Sequence, residues 1–460
     1  MRRFDYNLGF RHTTTCDLGQ LVPIYHEEVL PGDTFRFSAG VLARLAPLQN
    51  PVMHEVEMRI SSWFVPNRIL WTGWEDFITG VDAVTAPPTV AIANTGLDQV
   101  PIYMGAARQV QSGLSALPVR AYNMIWNEYF RDIDIQTEVA EDNLAILYVN
   151  WEKDYFTRSR PSPQQGTPEQ IPAVGYGRIE ATTGISTGAI TTSFDSSTPK
   201  QLEGSDGSIT DPLEVSLAAA GITVDALRRS VALQRFAEAR SRYGDRYVDY
   251  LRWLGIRPSD GRLSRPEFLG GATQRVSVSE VLSTAEGATV GVGDLFGHGI
   301  AGLRGRPWRK MFEEAGQIVT VLFIRPRIQY LTQTPKTWFR SDAMDYWQKE
   351  LELLPWQEIK EREIFGGGSA STTFGYVPRY HEYRSRFSYA SGQMGKAGTF
   401  TDWHYGRDFS SAPALNNTFL QCVPATRVYQ DTTIPEAQIS AVFDVRARRL
   451  VGTERTGIEL

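Results

Sequence analysis

Cysteine is almost absent: Cys16 and Cys422 are the only two in 460 residues. Two cysteines so far apart make no disulfide framework and approach no zinc spacing, so both read as free thiols. Long hydrophobic runs are missing too. The longest strongly apolar stretch, Ile318 to Ile324, falls short of the roughly 18 to 20 residues needed to cross a bilayer, so no membrane insertion is expected. The opening stretch MRRFDYNLGFRHTTT has no apolar core of a secretory signal, which predicts a chain made and used in a cytoplasm. Lysine is scarce as well: seven lysines stand against 40 arginines. Arginine is preferred where a planar fork binds carboxylate or phosphate or lies buried at an interface, although a GC-rich coding sequence produces the same bias without that selection. The net charge of −5 excludes a protein that condenses nucleic acid by overall charge, so any such contact must be local.

Catalytic signatures are equally sparse. There is no HExxH, no GxSxG and no paired CxxC. Gly291 to Gly297 (GVGDLFG) has the texture of a phosphate loop but the wrong spacing and no βαβ surroundings, and Gly392 to Lys396 (GQMGK) lacks the Walker pattern, leaving Lys396 as a turn residue. The six histidines (12, 26, 54, 298, 381 and 404) are scattered, and His381 and His404 sit among aromatics as packing residues. The acid pairs Glu27-Glu28 and Glu313-Glu314 read as solvated turns before they read as a glycosidase pair. No catalytic residue, cofactor or metal is expected.

What is present is strand-like texture. Val56, Met58 and Ile60 alternate with Glu57 and Arg59 as in a half-buried strand, and further strands are predicted at residues 144–151, 318–324, 418–423 and 439–445. Helices are predicted at residues 71–80, at 121–132 from the spacing of Tyr122, Trp126 and Phe130, from Thr223 to the interruption at Gly244, through Tyr247 to Leu254, and as short pieces at 307–314 and 341–354. From Pro161 to about residue 210 the texture is a long polar insertion rich in Ser, Thr and Gly. Between Asp225 and Arg265 ten arginines (228, 229, 235, 240, 242, 246, 252, 257, 262 and 265) face five acids. With 25 prolines and 40 glycines punctuating short strands and no alternating βα units, the pattern predicts an all-β antiparallel sandwich or jelly roll with long loop insertions and a few short helices. On these features alone a β-sandwich carbohydrate-active protein and a monomeric single-stranded DNA-binding protein both stay open.

Longer strings narrow the choice. LVPIYHEEVLPGDTF from Leu21, RLAPLQNPVM from Arg44, WFVPNRILWTGWEDFITG from Trp63, LPVRAYNMIWNEYFRD from Leu117, the run from Arg242 to Gly271, VPRYHEY from Val377 and LNNTF from Leu415 occur in an order that resembles the major capsid protein of microviruses, small single-stranded DNA bacteriophages, and the gokushovirus-like branch in particular. The resemblance implies one domain over residues 1–460, an eight-stranded antiparallel jelly-roll barrel. It further implies a T=1 icosahedral shell enclosing circular single-stranded DNA, and a place in the virion after assembly in the bacterial host cytoplasm. Residues 167–213 match poorly and correspond to the family's variable insertion, expected to project near the three-fold axes. The partners so implied are further copies of the chain, the packaged DNA, a small basic internal DNA-binding protein, minor pilot, spike or scaffolding proteins, and a host surface receptor. Within the arginine-rich stretch some arginines are expected at subunit contacts and a minority, with Arg228 and Arg229 as the candidates, facing the genome; the alternative is that all of them form intersubunit or intrachain salt bridges.

Overall fold

Strict alternation of apolar and polar residues lays down the longest strands. The computed structural model describes residues 3–80, 86–94, 98–164, 166, 224–244, 246–284, 291–396 and 398–452. The expected insertion at 167–213 lies outside the described residues. In chain order the strands are β1 (Phe4–Asn7), β2 (Phe10–Cys16), β3 (Val22–Val29), β4 (Thr34–Leu45), β5 (Val56–Pro66), β6 (Thr89–Ile92), β7 (Gln111–Ser115), β8 (Glu267–Arg275), β9 (Ser277–Leu282), β10 (Leu295–Arg304), β11 (Trp308–Met311), β12 (Gly316–Pro326), β13 (Trp356–Lys360), β14 (Thr373–Pro378) and β15 (Ala437–Arg449). A seven-stranded sheet runs β1-β15-β4-β10-β9, with β2 also on β15 and β11 also on β4, and a four-stranded sheet runs β3-β12-β5-β8. Pairs β13-β14 and β6-β7 form two ribbons. Each of these strand pairs is antiparallel.

The alternation explains the first core. Phe35, Phe37, Val41 and Leu45 of β4 and Ile439, Phe443 and Val445 of β15 point to one side and are buried, while the residues between them face outward. They meet Met58, Ile60, Ile318, Leu322 and Ile324 of the smaller sheet. Each such side chain contributes about 1.5 to 3 kcal/mol through burial. Strand β12 is covered on both faces, which is why IVTVLFI reads as continuous rather than alternating. Its other face, with Val319, Val321 and Phe323, lies in a second core beneath the helix Leu117–Tyr129, which supplies Tyr122, Ile125 and Trp126. The same cover buries β5 from Ile60 onward, so the expected half-burial describes only its first residues.

Several expectations need correction. The helix predicted over 121–132 spans Leu117–Tyr129, because Pro118 is accommodated in a first turn, where its missing N–H is not needed. Residues 144–151 form isolated bridges at Ala145, Tyr148 and Asn150 and no strand. Their backbone instead serves that helix: the Tyr122 hydroxyl accepts from Leu147 N–H at 3.0 Å and Trp126 Nε1 donates to Tyr148 O at 2.9 Å. Residues 307–314 hold strand β11, with Trp308 opposite Phe37, in place of a helix. Residues 341–354 hold two 3₁₀ turns, Ala343–Asp345 and Glu350–Leu353. The Asp345 carboxylate there accepts from the N–H groups of Ser341 and Asp342, at 2.8 and 3.0 Å. The strand expected at 418–423 begins instead as a helical turn, Asn417–Leu420, capped by the Asn416 side chain, which accepts from Phe419 N–H at 2.9 Å. The strands at 318–324 and 439–445 and the helices Trp74–Thr79, Val224–Tyr243 and Tyr247–Trp253 lie where the sequence places them.

The chain divides into two compact units, residues 1–163 with 243–460, and residues 164–242. The first contains both sheets. In the second, the described residues are chiefly the helix Val224–Tyr243, whose Leu227, Val231 and Phe236 are exposed. Among the described residues no helix is long and apolar enough to cross a membrane.

Candidate assembly and nucleic-acid surfaces

The histidines are occupied in packing. His404 donates from Nε2 to Met394 O at 2.9 Å and accepts at Nδ1 from Gly406 N–H at 3.0 Å. His381 stacks on Tyr155 with ring centres 5.8 Å apart, and His26 meets the Gln317 amide oxygen at 2.6 Å. Burial lowers the pKa of both His26 and His381. Among the described residues no three His, Cys, Asp or Glu gather as a metal site. Cys16 and Cys422 are buried free thiols whose pKa burial pushes up, which withdraws the reactive thiolate. Of the acid pairs, Glu27 is held by Arg449 at 3.0 Å and Glu314 by Arg68 at 2.8 Å.

A cavity of about 600 Å³ lies beside β5 and β12, with Arg59, Arg325, Arg327 and Lys153 in its wall. Three of its cations are paired within it: Arg325 with Glu57 at 2.6 Å, Arg327 with Glu152 and Lys153 with Asp132.

The structure divides the arginines of the 225–265 stretch by role. Arg246 donates to the carbonyls of Asn127, Glu128 and Arg131, satisfying the last turn of the helix Leu117–Tyr129. Arg265 pairs with Glu128 at 2.8 Å and lies over the Tyr129 ring at 4.8 Å. These two fasten a helix end. Arg228 and Arg229 are exposed neighbours on the helix Val224–Tyr243 of the second unit. Elsewhere the arginine bias also serves packing: the half-buried Arg407 guanidinium lies over Phe419 at 4.3 Å and Phe409 at 5.0 Å and donates to Phe419 O at 2.9 Å.

Two exposed regions stand apart. The segment of 3₁₀ turns from Lys336 to Leu354 presents Trp338, Met344, Tyr346, Trp347 and Leu353, with Leu353 87% and Trp338 79% exposed. Exposed apolar residues gathered in one segment are a feature of surfaces that bind protein, membrane or ligand. The other region is the outer face of the seven-stranded sheet, which carries Arg36, Arg309, Arg446 and Arg448. Sequence reasoning missed these four. The available signals were Arg304, Arg306, Arg309 and Lys310 within one short acid-free run and the alternation of Arg446 with Arg448 at the end of an apolar-periodic strand.

Residues 1–458 match the family described as Capsid protein (F protein). The chain belongs to this family of phage capsid proteins. The Capsid protein VP1 of Chlamydia phage 1 is 28% identical over 566 residues, covering 98% of this chain and 94% of that protein. That of Bdellovibrio phage phiMH2K is 30% identical, covering 91% and 88%, and that of Spiroplasma virus 4 is 25% identical, covering 88% and 85%. The resemblance read from the sequence strings therefore holds over the whole chain. A capsid protein resides in the virion and assembles with its own copies into a shell.

Proposed function

We propose that the chain is one jelly-roll capsid domain over residues 1–460, one copy per asymmetric unit of a T=1 icosahedral shell enclosing circular single-stranded DNA, with no catalytic activity. Strand order carries the reading. Eight strands, β2, β3, β4, β5, β8, β10, β12 and β15, pair in the orders β2-β15-β4-β10 and β3-β12-β5-β8. Two antiparallel four-stranded sheets interleaved in this way are the double Greek key of a jelly roll. The remaining strands, β13-β14 and the segment from Lys336 to Leu354 are additions that build subunit contacts. For residues 167–213, outside the described residues, the resemblance supports a projection near the three-fold axes whose Ser, Thr and Gly content suits a tip that touches a host surface receptor, with an ordered contact between subunits as the alternative. The acidic net charge favours a small basic internal protein as partner of the packaged DNA, with pilot, spike or scaffolding proteins as further partners. Arg228 and Arg229, exposed and adjacent, face the genome; replacing both with Ser would spare assembly and lower DNA retention, and normal packaging would remove them from that role.

Electron microscopy of material purified from expressing or infected cells tests the whole. Icosahedral shells of this subunit with a traceable eight-stranded barrel are expected. Monomers that persist when the phage's other structural proteins are supplied would overturn the reading.

A further inference from the structure

On the outer face of the seven-stranded sheet, strand register sets three guanidinium-bearing residues in one row. Arg446 of β15 lies opposite Arg36 of β4, and Arg36 lies opposite Arg309 of β11. Neighbouring strands are about 4.8 Å apart, so the row spans about 10 Å. Arg448 stands two residues along β15 from Arg446 and therefore on the same face, about 7 Å away. The four arginines line a groove of about 780 Å³ in which, among the described residues, Asp5 is the single carboxylate. Among the described residues none of the four lies within ion-pair distance of an acid, whereas Lys153, Arg325 and Arg327 of the cavity beside β5 are each paired.

Like charges directly opposite across strands destabilise a sheet. A row of three with no counter-charge is therefore costly unless an anion occupies it. The surroundings extend the same sign: Arg11, Arg44 and Arg304 share this face through their registers with Val442, Gln438 and Gly40, against Asp5 and Asp444 alone. The chain as a whole is acidic, so this face runs against the average. The two sheets also differ in cover. The outer side of the four-stranded sheet is buried under the helix Leu117–Tyr129 and its loops, while on the outer side of the seven-stranded sheet Arg36, Arg309, Arg446 and Arg448 are exposed and no described element packs over them.

We propose that this face is a binding site for the phosphodiester backbone of single-stranded nucleic acid, held by Arg36, Arg309, Arg446 and Arg448. Arginine forks bind phosphate oxygens through paired, charge-assisted hydrogen bonds, and arginines rooted about 5 to 7 Å apart on the sheet can serve successive phosphates of a flexible strand. A protein partner would bring apolar anchors, and the groove wall is mostly polar, with Trp308 already stacked on Phe37 at 5.2 Å. The inference rests on the capsid reading only for the source of the strand, the enclosed genome; it then makes this bare face the inner one.

The test uses the purified full-length chain and a fluorescent oligodeoxythymidylate, with binding followed by anisotropy between about 50 and 200 mM salt. The triple variant Arg36→Gln, Arg309→Gln, Arg446→Gln should bind at least about tenfold more weakly, and the slope of log affinity against log salt should shrink by about 0.7 for each phosphate contact removed. Replacing the same three with Lys should restore most of the slope, which separates lost charge from lost fold. Arg275→Gln with Arg384→Gln, both exposed and ion-paired, should leave the slope in place. An unchanged slope in the Gln triple overturns the site while shells seen by microscopy keep the capsid reading. Wild-type oligonucleotide binding combined with failed shell formation in the Gln triple also overturns it, by assigning the arginines to carboxylates of a neighbouring copy. Absence of shells even when the phage's other structural proteins are supplied, from wild-type chain that shows the expected slope, removes the shell reading and leaves the site standing.

Discussion

Arg449, the last residue of β15, reaches the carboxylate of Asp33 in the turn before β4, with Nε 3.0 Å from Oδ2. Asp33 is fully buried, its Oδ2 also accepts from Leu30 N–H at 3.1 Å, and the Arg449 guanidinium lies 5.2 Å above the Phe35 ring. The C-terminal strand is thereby tied to the head of its neighbour. Arg449→Ala leaves a carboxylate in the interior without its counter-charge and should cost about 3 to 5 kcal/mol in denaturant unfolding. Arg449→Lys keeps a charge without the fork and should fall between the two. A loss under about 1 kcal/mol for the Ala variant would show that water reaches Asp33.

Glu436 controls the opposite end of β15. Its carboxylate is buried and accepts from Leu18 N–H at 2.7 Å. Burial raises its pKa to about 7, with the backbone hydrogen bond pulling down and nearby Asp17 pushing up. The folded chain therefore holds this proton more tightly than the unfolded one, whose carboxyl titrates near 4.5. Stability from this group is greatest below the unfolded value and declines as pH rises from there to about 7, then levels. Glu436→Gln keeps an acceptor for Leu18 and should flatten that decline, making the variant more stable than wild type at alkaline pH by about 1 to 3 kcal/mol. Parallel stability-versus-pH curves for the two proteins would contradict the assignment.

Two glycines with left-handed backbone should respond very differently to alanine. At Gly19, φ is +86° and a Cβ would lie 1.8 Å from the carbonyl oxygen of Cys422. At Gly80, which ends the helix Trp74–Thr79 with φ +71°, a Cβ would meet open space. Gly80→Ala should cost about 1 to 2 kcal/mol, the ordinary penalty of that backbone region. Gly19→Ala should exceed about 4 kcal/mol and abolish soluble expression, because backbone cannot move aside. Similar melting temperatures for the two variants would sink the contrast.

The exposed segment from Lys336 to Leu354 should matter to the shell and not to the fold. Trp338→Ser with Leu353→Ser removes no buried contact, so the Tm of the unassembled chain should hold, with stability within about 0.5 kcal/mol per site. Sedimentation and microscopy should show fewer complete particles. Normal particle yield would place the subunit contact elsewhere.

The legibility of these features follows their physics. β12 and β15 were readable because burial on two faces and burial on one face impose different hydrophobic periods. The helix Leu117–Tyr129 was readable from its aromatic stripe, but its start was not, since Pro118 signals a break in the interior and a beginning in the first turn. Strand β11 looks helical in the sequence because Pro307 followed by mixed residues fits a helix start, and only its partner strand β4 decides otherwise. Residues 341–354 show the reverse: an apolar spacing of three and four with no core to bury it, left as exposed turns.

By itself the sequence determined what depends on composition and neighbours along the chain: an antiparallel β protein rich in turns, free thiols, no strong catalytic motif, and the long ordered strings that belong to phage capsid proteins. Tertiary structure alone decided which arginines act together. Arg246 and Arg265 come from the densest cationic stretch yet are consumed at a helix end. Arg36, Arg309 and Arg446, more than a hundred residues apart in sequence, meet in one row. Charge acts through space over a few ångströms, and the distances that matter are set by strand register, which no local reading of the chain contains.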